Sequence, residues 1–277
     1  MKTINIKLLA LLIVVITVVF SFTTIDKITV KGSDTMVILA QKWAEVYMSK
    51  NPSTTIQVTG GGSGVGISAL INGSTDIATS SRPIKPSEVE KIKGRYGTLG
   101  VEIPCAKDGI SIYLNKSNNV SELTLKQIAD IYSGKITNWK QVGGPDANIK
   151  LYGRESSSGT FVYFKDFVIK RDYAINCQSL PGTAAIVNAV KKDKFGIGYG
   201  GAAYAEGVKD CKVKKDENSP AYYPTAETIK SKIYPITRYL YMYLPSRPTG
   251  ATKKYIDWIL SSEGQKICAE VGYFPLK

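Results

Sequence analysis

The chain has 277 residues, 43% hydrophobic and 21% charged, enough for a large core in one or two domains. It carries a net charge of +13 and no histidine. The missing histidine excludes Ser-His-Asp and Cys-His catalysis, histidine metal sites and histidine acid–base work. The charge fits an anionic small ligand, nucleic acid or an anionic surface, but its even spread reads as a solvated basic surface.

Residues 1–26 read as a signal peptide or an N-terminal anchor. Lys2 and Lys7 precede the apolar run Leu8 to Phe20. That run is short of the ~20 residues of a spanning helix. No cysteine follows it to take a lipid. Cleavage is favoured over anchoring, and either places the rest of the chain outside the cytoplasm.

Lys27 to Lys31 alternates as a strand and runs into Gly32-Ser33-Asp34-Thr35-Met36. Val37, Ala40, Trp43, Ala44 and Tyr47 then recur at helical spacing, with Ser33 or Asp34 as N-cap. Thr54 to Val58 is the next strand. It leads through Gly60-Gly61-Gly62-Ser63-Gly64-Val65-Gly66 into a helix that stops at Asn72-Gly73. No Lys-Ser/Thr follows these glycines, so this is not a P-loop. No acidic residue sits where a dinucleotide site needs one. Thr75 to Pro83 is a strand ending in Ser80, Ser81 and Arg82, before a helix from Pro86 to Lys93.

Val101 to Cys105 and Gly109 to Leu114 read as two strands, Leu123 to Tyr132 as a helix. Ile149 to Tyr152 alternates as a short strand and meets Gly153-Arg154-Glu155-Ser156-Ser157-Ser158-Gly159-Thr160-Phe161. Phe161, Phe164, Phe167 and Val168 continue at helical spacing. Thr183 to Val190 is helical, Phe195 to Gly201 a tight strand, and Lys212 to Pro220 a surface loop. Tyr234 to Leu244 is a strand long enough to cross between two lobes. Helices over Tyr255 to Leu260 and Glu263 to Val271 close the chain.

Strands alternate with helices, which argues for α/β layering with mostly parallel sheets. Three of the strand–turn–helix units have turns of small, hydroxyl-bearing residues. A helix start offers free N–H groups and the positive end of its dipole, so each turn suits an anion. In such sheets ligands sit where strands end and helices begin, so the three starts converge on one cleft. Arg154 adds a planar fork that fits tetrahedral oxyanions.

These stretches together resemble the phosphate-binding subunit of ABC-type phosphate importers, a family of two-lobed periplasmic solute-binding proteins of the second topological type. The likeness runs from Lys27 to Lys277. Besides the three turns it rests on Asp76 to Arg82, Ile131 to Trp139, Gly196-Ile197-Gly198-Tyr199 and Tyr234-Pro235-Ile236-Thr237-Arg238. It implies a phosphate buried between lobes. Thr35 and Met36 match the first binding turn, Met36 through its backbone N–H, and Ser33 and Asp34 stand in the same turn. Ser63 matches the hydroxyl of the glycine-rich turn. Arg154, Ser158, Gly159 and Thr160 match the clamp of the second lobe. Many members carry at the position of Ser81 an Asp that accepts the proton of phosphate. Ser81 cannot be an acceptor-only group, so Asp34 is expected to supply the carboxylate. A buried carboxylate accepts that proton but repels sulfate, which has none.

The expected architecture is two α/β lobes, residues 27–108 plus 239–277 and residues 109–238. Two crossing strands near Gly109-Ile110-Ser111 and Thr237-Arg238-Tyr239 form the hinge. The resemblance implies phosphate as ligand, a membrane permease as partner, and no catalysis, cofactor, metal or nucleic acid; the protein is expected to be a monomer. The rival readings are a binder of sulfate, molybdate or tungstate, a membrane-anchored phosphate sensor, and an extracellular phosphoesterase. The last is opposed by the missing histidine and by the lack of clustered carboxylates for two metals. Four cysteines in an exported chain are either buried thiols or two bridges. If bridged, Cys177 is expected to pair with Cys211 and Cys105 with Cys268, each within one lobe.

Overall fold

The computed structural model describes residues 25–276; the expected signal or anchor over Leu8 to Phe20 lies outside them. Among the described residues no helix is long and apolar enough to cross a membrane.

Strand β1 (Asp26–Gly32) buries Ile28 and Val30. It ends in a 3-10 turn (Asp34–Met36), from which α1 (Val37–Lys50) starts. The inward stripe of α1 is Leu39, Ala40, Trp43, Ala44 and Tyr47. β2 (Thr54–Thr59) feeds α2 (Ser63–Ile71), and β3 (Ile77–Ser80) precedes α3 (Pro86–Tyr96), which starts on its proline. β4 (Val101–Leu114) is one strand where the sequence suggests two. Lys107 and Asp108 interrupt the apolar pattern without interrupting the pairing. β5 (Glu122–Thr124) takes the first residues of the expected helix, and Thr124 caps α4 (Leu125–Tyr132) by accepting from the Gln127 N–H.

β6 (Lys150–Arg154) leads to α5 (Gly159–Phe164), which continues as a π-helical turn (Lys165–Ile169). β7 (Gln178–Leu180), α6 (Thr183–Lys192) and β8 (Gly196–Gly201) follow. β9 (Lys209–Lys214) is a strand where a loop is expected from Lys212 onward. It is polar outside and turns only Cys211 and Val213 inward, so its apolar signal is faint. β10 (Ala221–Tyr222), α7 (Ala226–Lys230), β11 (Thr237–Leu244), α8 (Gly250–Leu260) and α9 (Ser262–Glu270) complete the chain.

The sheet path is β2-β1-β3-β11-β4-β8-β6-β7. Its ends are parallel, as expected: β1 with β2 and β3, and β6 with β7 and β8. Its middle is antiparallel. β11 pairs with β3 on one side and β4 on the other, and β4 then pairs with β8. At Gly109, opposite Thr237, β4 leaves one sheet; from Ile110, opposite Gly201, it belongs to the next.

Two main cores lie on either side of that crossing. One gathers Ile28, Trp43, Ile77, Cys105, Leu240 and Tyr255. The other gathers Ile112, Trp139, Leu151, Phe164, Tyr199 and Ile236. The four cysteines are free thiols, so neither expected bridge is formed. Cys105, Cys211 and Cys268 serve as small buried apolar residues. Burial pushes the Cys177, Cys211 and Cys268 thiols up to about 12, which keeps them protonated and unreactive.

Candidate functional site

β1 delivers the Asp34–Met36 turn to the C-terminal edge of its sheet. The Ser33 N–H donates to the Thr79 carbonyl and to its Oγ1, both at 3.0 Å. Neither Ser33 nor Asp34 caps the turn through its side chain, contrary to the sequence expectation. The Ser33 hydroxyl donates to Ser81 Oγ at 2.9 Å, and the Ser81 N–H donates to Ser63 Oγ at 3.0 Å. Ser33, Ser63 and Ser81 thus form one buried hydroxyl chain across three turns. The Met36 N–H, expected to face the ligand, donates to the Ser33 carbonyl at 2.9 Å and closes the 3-10 turn.

From the other core comes the start of α5. Ser158 Oγ caps it, accepting from the N–H groups of Thr160 and Phe161 at 3.2 and 3.3 Å. Gly159 passes so close to α2 that a β-carbon there would meet Ser81 Oγ at 2.7 Å and collide with Ser63. Gly62 turns the chain at φ +99, open to glycine alone, and lets Ser157 pack against it. The Gly64 N–H donates to the Ser157 carbonyl at 2.9 Å. Thr35 Oγ1 and Thr160 Oγ1 lie 2.8 Å apart. The two starts therefore face each other at hydrogen-bond range.

Two guanidinium groups border these hydroxyls, Arg154 with two carboxylates and Arg238 with one. Arg154, 2% exposed, donates from Nη2 to Asp34 Oδ2 at 2.6 Å and from Nη1 to Thr183 Oγ1 at 3.2 Å. Glu155 accepts from its Nε and Nη2 at 3.3 and 3.2 Å. Asp34 Oδ1 also accepts from the Gly61 N–H at 2.8 Å, so this carboxylate ties the first turn, the glycine-rich turn and Arg154 together. Arg238 donates from Nε and Nη2 to Asp108 Oδ2 at 3.0 and 2.7 Å. Its Nη1 donates to the Ser81 carbonyl at 3.0 Å, and its Nη2 to Thr160 Oγ1 at 3.0 Å and Thr35 Oγ1 at 3.5 Å. Burial pushes the Asp108 carboxyl up, against the pull of Arg238. Tyr204 and Tyr273 fix the first turn from behind, donating to the carbonyls of Asp34 and Thr35.

The ensemble is donor-rich, buried and small: hydroxyls, helix starts and two guanidiniums held by carboxylates. It suits a compact tetrahedral oxyanion. Among the described residues no group of three or more His, Cys, Asp or Glu could hold a metal ion.

Residues 21–263 match the model of the PBP superfamily domain. The chain is 31% identical to the phosphate-binding protein PstS of Pseudomonas aeruginosa over 263 residues, covering 88% of this chain and 81% of the relative. It is 35% identical to PstS of Staphylococcus epidermidis over 254 residues, covering 88% and 77%. The chain belongs to the phosphate-binding protein family of the PBP superfamily. The fold agrees. A phosphate ABC transporter substrate-binding protein from Clostridium perfringens, solved with bound phosphate, superposes with a TM-score of 0.83 at 32% identity, over 91% of this chain and all of that one. An ABC-type phosphate transport receptor from Vibrio cholerae gives 0.72 at 30% identity, over 89% and 99%. The fold is the two-lobed one of this family, with β4 and β11 as the crossing strands.

Within that family frame, the structure brings Ser33, Asp34, Thr35, Met36, Ser63, Ser81, Arg154, Ser158, Gly159 and Thr160 to one place. Two residues there are not among the expected site residues: Asp108, and Arg238, which the sequence places only in the hinge strand. Arg238 is the one charge in β11, whereas Asp108 shares β4 with Glu102 and Lys107, and neither pattern tells that the two meet.

Proposed function

We propose that this protein captures inorganic phosphate between its two lobes outside the cytoplasm and hands it to the membrane permease of an ABC importer. The lobes are assigned as residues 27–108 plus 239–277 and residues 109–238, in keeping with the two cores. The observation that carries the reading is the meeting of Thr35 and Thr160 hydroxyls from opposite lobes beside Arg154 and the Ser33–Ser81–Ser63 chain. Thr35, Ser63, Ser158 and Thr160 donate hydroxyl hydrogens, Gly159 lets the helix start approach, and Arg154 supplies the charged fork. Asp34 holds Arg154 and is the carboxylate that favours a protonated anion. The protein acts as a monomer, without catalysis. Export through the Leu8–Phe20 segment is part of the proposal.

The test is titration calorimetry on the chain from Lys27 onward, stripped of carried-over ligand, with phosphate and then sulfate. Tight phosphate binding without sulfate binding is the expected result. Sulfate binding of equal strength, or neither, overturns the reading.

A further inference from the structure

The structure assigns Arg238 the part of a positioning residue that couples anion capture to lobe closure. This rests on the function proposed above. Arg238 sits on β11 one residue beyond Thr237, which pairs with Gly109 where β4 passes from one sheet to the other. It is therefore at the hinge, yet its guanidinium reaches both binding turns. Nη1 holds the Ser81 carbonyl of lobe one; Nη2 reaches Thr35 Oγ1 of lobe one and Thr160 Oγ1 of lobe two.

A second set of contacts reaches α5 itself. The guanidinium lies 5.5 Å from the centroid of the Tyr163 ring, a cation–π distance. The Tyr163 hydroxyl donates to the Thr237 carbonyl at 2.9 Å. Tyr163 is on the helix whose start carries Gly159 and Thr160, so that start is tied to the hinge strand by its first turn and by its second. Asp108 balances the charge, so the arginine is held in place and adds little net charge to the site.

The geometry gives the arginine two tasks. A threonine hydroxyl that accepts from Nη2 turns its own hydrogen away from the guanidinium, toward its other neighbours in the cleft. And the contacts to Ser81, Thr35 and Thr160 coexist only while the lobes are together; opening takes α5 away from the first turn and breaks some of them. Lysine, a point charge without a fork, cannot hold all of them at once.

The test is phosphate binding by stopped-flow fluorescence, with small-angle scattering of stripped protein before and after phosphate, for wild type, Arg238→Lys and Tyr163→Leu. Arg238→Lys is expected to release phosphate at least about tenfold faster, the size of one lost charge-assisted bond, with association changed less than about threefold. Its compaction on binding should shrink. A merely structural arginine would lower the ligand-free melting temperature and leave the release rate alone, and that result overturns the inference. Should Arg238→Lys fail to fold, Tyr163→Leu decides by the same release rate, and an unchanged rate again overturns it. If wild type binds phosphate and the variants release it at the wild-type rate, only the role of Arg238 falls. If wild type does not bind phosphate, the proposed function falls and this inference with it.

Discussion

Arg154 Nη2 donates to Asp34 Oδ2 at 2.6 Å, and 120 residues separate the two in the chain. The bond joins the turn after β1 to the end of β6, elements that belong to different cores. With Glu155 on its other edge, it also leaves the buried guanidinium with a fixed direction and its charge fully met by carboxylates. An anion placed there gains from aimed donors more than from net charge, so its binding should depend only weakly on salt.

Arg154→Ala should weaken phosphate binding by at least about 100-fold, because it removes a charged donor and leaves Asp34 without its main partner; breaking a buried pair costs about 3–5 kcal/mol. Titration calorimetry measures it, and near wild-type affinity would exclude Arg154 from the site.

Asp34→Asn should weaken phosphate binding about tenfold, through the loosened Arg154, and should let sulfate compete. The second effect follows from losing the negative charge that disfavours a fully ionised anion. Competition titrations separate the two. If phosphate affinity drops while sulfate still fails to compete, Asp34 positions Arg154 and selects nothing.

Gly159→Ala inserts a methyl where Ser81 Oγ would lie at 2.7 Å and Ser63 nearer still. Overpacking of this kind costs about 1–3 kcal/mol, and here the lobes escape it by staying apart. Phosphate affinity should drop about 10- to 100-fold. The ligand-free melting temperature should barely change, since the backbone there suits alanine. A lowered melting temperature with normal affinity would place the strain inside one lobe instead.

Asp210 gives a pH-dependence in lobe two. Burial raises its carboxyl to about 6, although the Ser111 hydroxyl donates to it at 3.0 Å. The folded protein then holds this proton more tightly than the unfolded chain, whose carboxyl titrates near 3.8. The stabilisation is fully present below about pH 4 and is lost as pH rises to about 6. Two units correspond to roughly 1–3 kcal/mol. Urea unfolding of wild type and Asp210→Asn from pH 4 to 8 checks it. The variant should show a flatter profile in that window, and parallel profiles would reject the assignment.

The three strand–turn–helix units were legible in sequence because their signals are local. Clustered Gly, Ser and Thr sit between an alternating strand and a 3.6-period stripe. The site residues drawn from them meet for that reason. Asp108 and Arg238 were not legible, because their bond spans 130 residues and no local pattern announces it. Lys107 and Asp108 made β4 look like two strands, although its ladder with β11 runs from Leu244 opposite Val101 to Thr237 opposite Gly109 with one irregularity. β9 was hidden by its lysines, which face outward while only Cys211 and Val213 are buried. For Asp34 the sequence offers both a cap and a ligand-facing carboxylate; the cap is not formed, and only the folded chain shows Gly61 and Arg154 beside it.

The interleaved path of the sheet sets an order of assembly. Chains are made from the N-terminus, and residues 109–236 contain nearly all of the second core in one run. The first core cannot close on that schedule. β3 shows an open edge until β11 arrives, and the Trp43 indole waits for the carbonyl of Gly264, its acceptor 221 residues later. The later-made lobe can therefore be complete while the earlier one still exposes a strand edge and half a core. An unfinished chain carries an aggregation-prone surface at its beginning, and the last forty or so residues remove it.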